Sequence, residues 1–165
     1  LIDQVMANSL GKNEMKLQKE KIEAESFLKS IIADFKVVFP KVTLETHFNT
    51  KETFLVLDKF HLTTAILNVF ENAVKYGSNT ITIKTELVKN QFNISIKDDG
   101  IGISKSKHSL LFDKFYRVEQ GNLHNAKGLG LGLYYVKQII KAHQGTIAVI
   151  SDLGKGSEFT IMFKV

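Results

Sequence analysis

Asn68, Asn72 and Lys75 stand at i, i+4 and i+7 of one apolar-rich stretch, which puts two amides and an ammonium on a single face if the stretch is helical. Amide oxygens on such a face suit a hydrated Mg2+, which takes oxygen ligands and shares its shell with phosphates. Lys75 would then meet phosphate charge, Tyr76 would offer a ring face to a base, and Glu71 borders the stripe. A polar stripe is also what an ordinary solvated helix face looks like, and Tyr76 also suits core packing. Against the plain surface reading, asparagine is a poor helix former with better surface substitutes.

Asp98-Asp99-Gly100-Ile101-Gly102-Ile103 follows an alternating apolar run. Asp-Gly in that place is a turn signal. It is equally a carboxylate acceptor beside a glycine-opened cleft, matched to the exocyclic amino group of adenine, with glycines that let backbone approach a ring. Lys127-Gly128-Leu129-Gly130-Leu131-Gly132-Leu133 leads into a second helical pattern. Alternating glycines are costly unless the backbone must bend or approach a ligand, and the amides opening a helix attract an anion. The spacing is tighter than G-x-G-x-x-G and no G-K-[ST] closes it, so neither the dinucleotide fingerprint nor the Walker loop is matched. Gly154-Lys155-Gly156-Ser157-Glu158-Phe159 reads first as a hairpin turn.

These segments need elements to hold them. Phe27, Leu28, Ile31, Ile32, Phe35 and Val38 predict a helix that Pro40 stops. Residues 15–24 alternate loosely as a strand; 42–48 and 54–57 predict two more, and Asp58 is placed to cap a helix over 59–76. Strands over 80–88 and 91–97 meet as a hairpin around Lys89-Asn90. A short helix is expected near 109–112, a mobile polar loop over 119–127, a helix over 129–143 closed by Gly145, and strands over 146–151 and 157–165. Interspersed strands and helices without strict alternation predict an α/β (α+β) two-layer sandwich, one mixed, largely antiparallel sheet with helices on one face.

With 165 residues, 44% of them hydrophobic and 12 of them Phe, the chain is sized for one domain with its own core. The longest apolar runs, such as 54–57 and 147–150, fall far short of the roughly 20 residues that span a bilayer. Zero cysteines exclude disulfides and thiolate metal sites, and the five histidines have no paired spacing that favours zinc. The net charge of +5 comes from lysines scattered through every segment rather than a block, which argues for an anionic small ligand and against nucleic acid. The start at Leu1 and the apolar spacing of Leu1, Ile2, Val5, Met6 and Leu10 suggest the end of a longer helix with sequence missing upstream.

In chain order the four chemical segments resemble the N, G1, G2 and G3 boxes of the histidine kinase ATPase domain, a branch of the fold shared with gyrase B, MutL and the heat-shock chaperone ATPases. Asn68-x-x-x-Asn72-Ala73-x-Lys75-Tyr76 matches the N box, Asp98-x-Gly100-x-Gly102 the G1 box and Gly128-x-Gly130-Leu131-Gly132-Leu133 the G2 box, while Leu111-Phe112-Asp113-Lys114-Phe115-Tyr116-Arg117 is similar to the F box. The resemblance implies ATP and Mg2+ as ligands. Asn72 would be the principal metal ligand with Asn68 assisting, Asp98 would take the adenine amino group, and Tyr76 would pack on the ring. Lys75 and Arg117 would face phosphates that Gly128 to Gly132, including Leu129 and Leu131, frame. Gly100, Gly102, Ile103, Phe112, Lys127 and Ser157 would complete the nucleotide site, and 119–127 would be its lid.

In the hydrolytic relatives the residue four before the metal-binding Asn is a glutamate base for water; here it is Asn68, whose amide takes no proton near neutral pH. The resemblance therefore implies transfer of the γ-phosphate to a histidine, with Asn68, Glu71, Lys75 and Arg117 as the catalytic candidates and Glu71 orienting that histidine. The histidine itself is not in this chain: residues 1–13 would end the dimerisation helix and 14–165 would be the catalytic domain. Ser157 departs from the more usual Thr, and the lid is short. The implied partners are the protein's own dimerisation and phosphoacceptor domain, in a homodimer, and a response regulator receiver domain, with no nucleic acid and no membrane contact by this piece. A cytoplasmic domain of a parent anchored in a bacterial inner membrane is expected. The alternatives are a nucleotide-binding module without histidine transfer, either a scaffold or an anti-sigma-type serine kinase, and a gyrase-type hydrolase.

Overall fold

Leu28, Ile31 and Phe35 recur at helical spacing, and in the computed structural model they are the buried stripe of helix α1 (Ala24–Val38). The structure describes residues 15–50, 52–116 and 130–165. The expected helix end over 1–13 and polar loop over 119–127 lie outside them. Helix α1 begins three residues before the predicted Phe27 because Glu23 caps it, its carboxylate accepting from the backbone of Glu25 at 3.1 Å and Ser26 at 2.7 Å. It ends at Phe39, the residue before Pro40, as a proline demands.

Helix α2 (Lys59–Lys75) starts from the predicted cap, with Asp58 Oδ1 accepting from His61 N at 3.0 Å. It buries Leu62, Ala65, Ile66, Val69, Phe70 and Ala73 and leaves its amide stripe on the other side. Helix α3 (Gly132–Ala142) buries Tyr135, Val136, Ile139 and Ile140. The three helices cover one face of a five-stranded sheet of order β2 (Thr43–Phe48), β4 (Thr80–Val88), β5 (Gln91–Asp98), β7 (Ser157–Lys164), β6 (Thr146–Ser151). Among the described strands of this sheet, only β2 and β4 run parallel. Register carries the covered face across the sheet: Ile83 opposes Ile96, Ile96 opposes Phe159, and Phe159 opposes Val149. The alternate residues are half-buried or exposed, Lys84 and Lys97 among the exposed ones, which is the signature of a sheet packed on one side.

The expectation of a single sheet needs one correction. β3 (Phe54–Leu57) stands apart, paired antiparallel with β1 (Glu20–Glu23) as a separate ribbon. Its Leu55 and Leu57 reach the core while Phe54 and Val56 face outward, so the short apolar run alternates instead of being buried throughout. A second correction falls before α3. A short helix was expected near 109–112, but the turn is a 3-10 segment over Lys105–Leu110, and Leu111 and Phe112 follow it into the core. Among the described residues no helix is long and apolar enough to cross a membrane.

Candidate functional site

The polar stripe of α2 faces the start of α3. Asn68 is half-buried, and its Nδ2 donates to the carbonyl of Thr64 one turn back at 2.8 Å. That bond commits the nitrogen end of the amide to its own helix and turns Oδ1 toward Gly132, where an added Cβ would lie 2.9 Å from it. The close approach explains one glycine of the tight repeat: α3 begins against the Asn68 amide with no room for a side chain. Asn72 is half-buried one turn on, Glu71 is exposed beside it, and Lys75 places Nζ 5.4 Å from the centre of the Tyr76 ring.

Tyr76 closes α2 and meets the aspartate loop. Its carbonyl accepts from Ile101 N at 3.2 Å, and a Cβ on Gly100 would come within 2.8 Å of the same oxygen. Asp98, the last residue of β5, is 7% exposed, and its Oδ1 accepts from Gly100 N at 2.9 Å and Ser157 N at 3.3 Å. Both donors converge on one oxygen, so among the described residues Oδ2 receives none. Burial pushes the Asp98 carboxyl above the ordinary aspartate range; the Gly100 and Ser157 amides pull against that rise, and nearby Asp99 adds to it. A carboxylate at the end of a buried strand beside a glycine-opened loop is an acceptor for a donor that approaches it.

The last turn locks this loop from behind. Gly102 and Gly156 have φ of +69° and +78°, and a Cβ on either would sit 1.9 Å from a carbonyl oxygen, of Asp152 and Asp98 respectively. The segment read first as a plain hairpin turn thus packs its backbone against the aspartate loop. Ser157 is buried, its hydroxyl 3.0 Å from that of Ser151 and its amide on Asp98. Ser151 Oγ lies 2.7 Å from the Gly156 carbonyl and 2.8 Å from Ile103 N. Nothing in its local pattern singles out Ser151; the β6–β7 register, Ser151 opposite Ser157, brings it to the site.

Phe112 lies in the core, edge-on to Phe159 at 6.5 Å between ring centres, with Lys137 over its ring at 5.6 Å. Farther along, Phe115 N donates to Gly130 O at 3.1 Å, and a Cβ on Gly130, φ +70°, would meet Tyr116 O at 2.8 Å. The end of the F-box-like segment is therefore clasped to the glycine repeat. Leu131 is buried just before α3, which starts at Gly132 rather than at the expected Leu129 because Gly130 is left-handed. Arg117, Lys127, Gly128 and Leu129 lie outside the described residues. The described candidates, taken together, line up from Asn68 and Gly132 at the middle of α2 to Tyr76, Gly100 and Asp98 at its C-terminal end.

Residues 57–165 match the family described as histidine kinase-, DNA gyrase B-, and HSP90-like ATPase. The sensor protein RprX of Bacteroides fragilis is 38% identical over 151 residues, covering 88% of this chain and 29% of RprX. The signal transduction histidine-protein kinase ArlS of Staphylococcus haemolyticus is 31% identical over 150 residues, covering 90% of this chain and 33% of ArlS. The chain thus spans about a third of the length of these curated relatives. Among solved structures, the mycobacterial sensor histidine kinase MprB superposes with a TM-score of 0.76 at 22% identity, covering 88% of this chain and 97% of that one. Full-length ShkA, solved with AMPPNP, gives 0.80 at 21% identity over 97% of this chain and 34% of that one. At such identities the two structures show a shared fold.

Proposed function

The chain belongs to the histidine kinase-, DNA gyrase B- and HSP90-like ATPases, and from that membership we propose that it binds ATP with Mg2+ and passes the γ-phosphate to a histidine of a dimerisation segment, the first step of a two-component phosphorelay. The observation that carries transfer over hydrolysis is Asn68. Its Nδ2 is held by the Thr64 carbonyl and its Oδ1 lies against Gly132, so the position where the hydrolytic relatives have a base holds an amide that accepts no proton.

The donor chemistry fits both ligands. Asn72 and Asn68 offer amide oxygens of the kind Mg2+ prefers, and the bound metal would neutralise phosphate charge. Asp98 supplies the acceptor for the adenine amino group and Tyr76 the packing surface for the ring. Lys75, Arg117, Lys127 and the amides of the glycine repeat, Gly128 to Gly132, would meet the phosphates, the start of α3 adding its positive end. In the transfer, the bond from the γ-phosphorus to the β–γ bridging oxygen breaks, ADP leaves, an imidazole nitrogen bonds to phosphorus, and the imidazole gives up its proton. Glu71, exposed one residue before Asn72, would orient the incoming ring.

The histidine comes from the protein's dimerisation domain, in a homodimer, and a response regulator receiver domain takes the phosphoryl group next. The parent protein is a sensor anchored in a bacterial inner membrane. The test is reconstitution: the chain, Mg-ATP labelled in the γ-phosphate, and a separately produced phosphoacceptor domain should yield an acid-labile label on that domain. Absence of label, with both parts folded and ATP bound, would leave only a nucleotide-binding module.

A further inference from the structure

Asp98 ends β5 facing the core, so the next residue, Asp99, points the opposite way. There its Oδ1 gathers three donors from the segment joining α2 to β4: Ser78 Oγ at 2.7 Å, Asn79 N at 2.9 Å and Thr80 N at 2.9 Å. Burial works against the Asp99 charge, yet the bonds from Thr80, Ser78 and Asn79 outweigh it and hold the carboxyl below the ordinary range. Two residues later, Ile101 N donates to the Tyr76 carbonyl at 3.2 Å. The loop that carries Asp98 is therefore tied at two points to the segment that begins with Tyr76. Register adds a third fixed point, with Asp98 directly opposite Ile81 on β4. Neither tie uses the Asp98 carboxylate.

We propose that Asp99 is a positioning residue for base recognition, a clamp that sets the separation between Asp98 and Tyr76, so that one can accept from the amino group of an adenine while the other packs on its ring. The inference rests on the nucleotide reading of this site. Asp99 itself touches no base, because its bonding oxygen is turned to residues 78–80. Its loss frees the aspartate loop from the end of α2 and blurs the one feature that tells adenine from guanine, an acceptor at fixed distance from the ring platform. Asn68, with Gly132 against it, lies about two helical turns before Tyr76, so phosphate binding there stays intact.

The experiment measures affinities for Mg-ATP and Mg-GTP, with melting curves, for the wild type, Asp99→Ala, Asp99→Asn and Ser78→Ala. Asp99→Ala should weaken ATP binding about tenfold, as expected for one mispositioned buried hydrogen bond, with little change for GTP, so the preference for ATP narrows. Asp99→Asn keeps an Oδ1 acceptor and should restore most of that preference, and Ser78→Ala, removing one donor of three, should fall between. ATP and GTP affinities falling in parallel with melting temperature would mean a merely structural residue and overturn the proposal. So would an unchanged ATP-to-GTP ratio in Asp99→Ala or, were that variant unable to fold, in Ser78→Ala. A wild-type chain that binds neither nucleotide would instead overturn the nucleotide reading itself.

Discussion

Replacing Asp98 by asparagine should move stability and function in opposite directions. The amide keeps an Oδ1 that accepts the 2.9 Å bond from Gly100 and the 3.3 Å bond from Ser157, and its size is unchanged. What disappears is a charge that is 7% exposed and that burial disfavours. Relief of one such unfavourable group stabilises a domain by about 1 kcal/mol, or roughly 2–4 °C in melting temperature for a chain of this length. The sign in pH follows. The folded pKa of Asp98 lies above the ordinary value of 3.8, so the folded state holds the proton more tightly, and stability is lost as pH rises through the folded pKa. The variant's advantage should therefore be absent in acid and grow as pH rises through the folded pKa of Asp98. Nucleotide binding should go the other way: a donor replaces the free acceptor, and losing a hydrogen bond to a charged group costs about 1.5–3 kcal/mol, a drop on the order of 10-fold to 150-fold in ATP affinity. Melting curves from acid to neutral pH, paired with ATP titrations, read both effects. An Asp98→Asn protein that is less stable at neutral pH, or that binds ATP as tightly as the wild type, would refute the reasoning.

Other consequences are as direct. Asn72→Ala should abolish the Mg2+ dependence of ATP binding, read by titrating the metal at fixed nucleotide. Gly154 and Gly156 share a turn and a left-handed φ, +77° and +78°, but a Cβ on Gly154 meets nothing within 4 Å while one on Gly156 meets Asp98 O at 1.9 Å. Gly154→Ala should then cost about 1 kcal/mol and Gly156→Ala on the order of 3 kcal/mol or more, compared by denaturant unfolding. His143 is buried and neutral, its Nε2 accepting from Asp58 N at 3.0 Å and its Nδ1–H donating to Ile139 O at 2.8 Å. Burial holds its pKa below the ordinary 6.5, only partly offset by the Ile139 carbonyl, so its contribution to stability is present above that value and lost as pH falls through the folded pKa. Melting temperature should fall on acidification below neutrality, and the slope should flatten in His143→Gln.

The parts of the site that follow a period were legible in the sequence. Asn68, Asn72 and Lys75 share one face of α2 because 3.6-residue spacing fixes it, and Lys89 and Asn90, both at positive φ, make the hairpin turn their types suggested. What depends on contacts between distant residues was not. Asp99 looks locally like half of a turn signal, and its partners lie 19 to 21 positions back along the chain. Ser151 enters only through strand register. Helix α3 does close near Gly145, but the left-handed residue is Gln144; Gly145 is needed because a Cβ would meet Met162 O at 2.7 Å. The separate β1–β3 ribbon escaped because strand partners are a tertiary choice that a four-residue apolar run does not encode.

The proposed reaction delivers the γ-phosphoryl group to a histidine and withholds it from water. The direct measurement follows the fate of label from γ-labelled Mg-ATP, counted as protein-bound phosphohistidine and as free phosphate, with and without an added phosphoacceptor domain. Label accumulating on that domain, with almost no free phosphate when it is left out, is the expected result. Steady release of free phosphate by the chain alone, abolished by Asn72→Ala, would contradict it and make the protein a hydrolase.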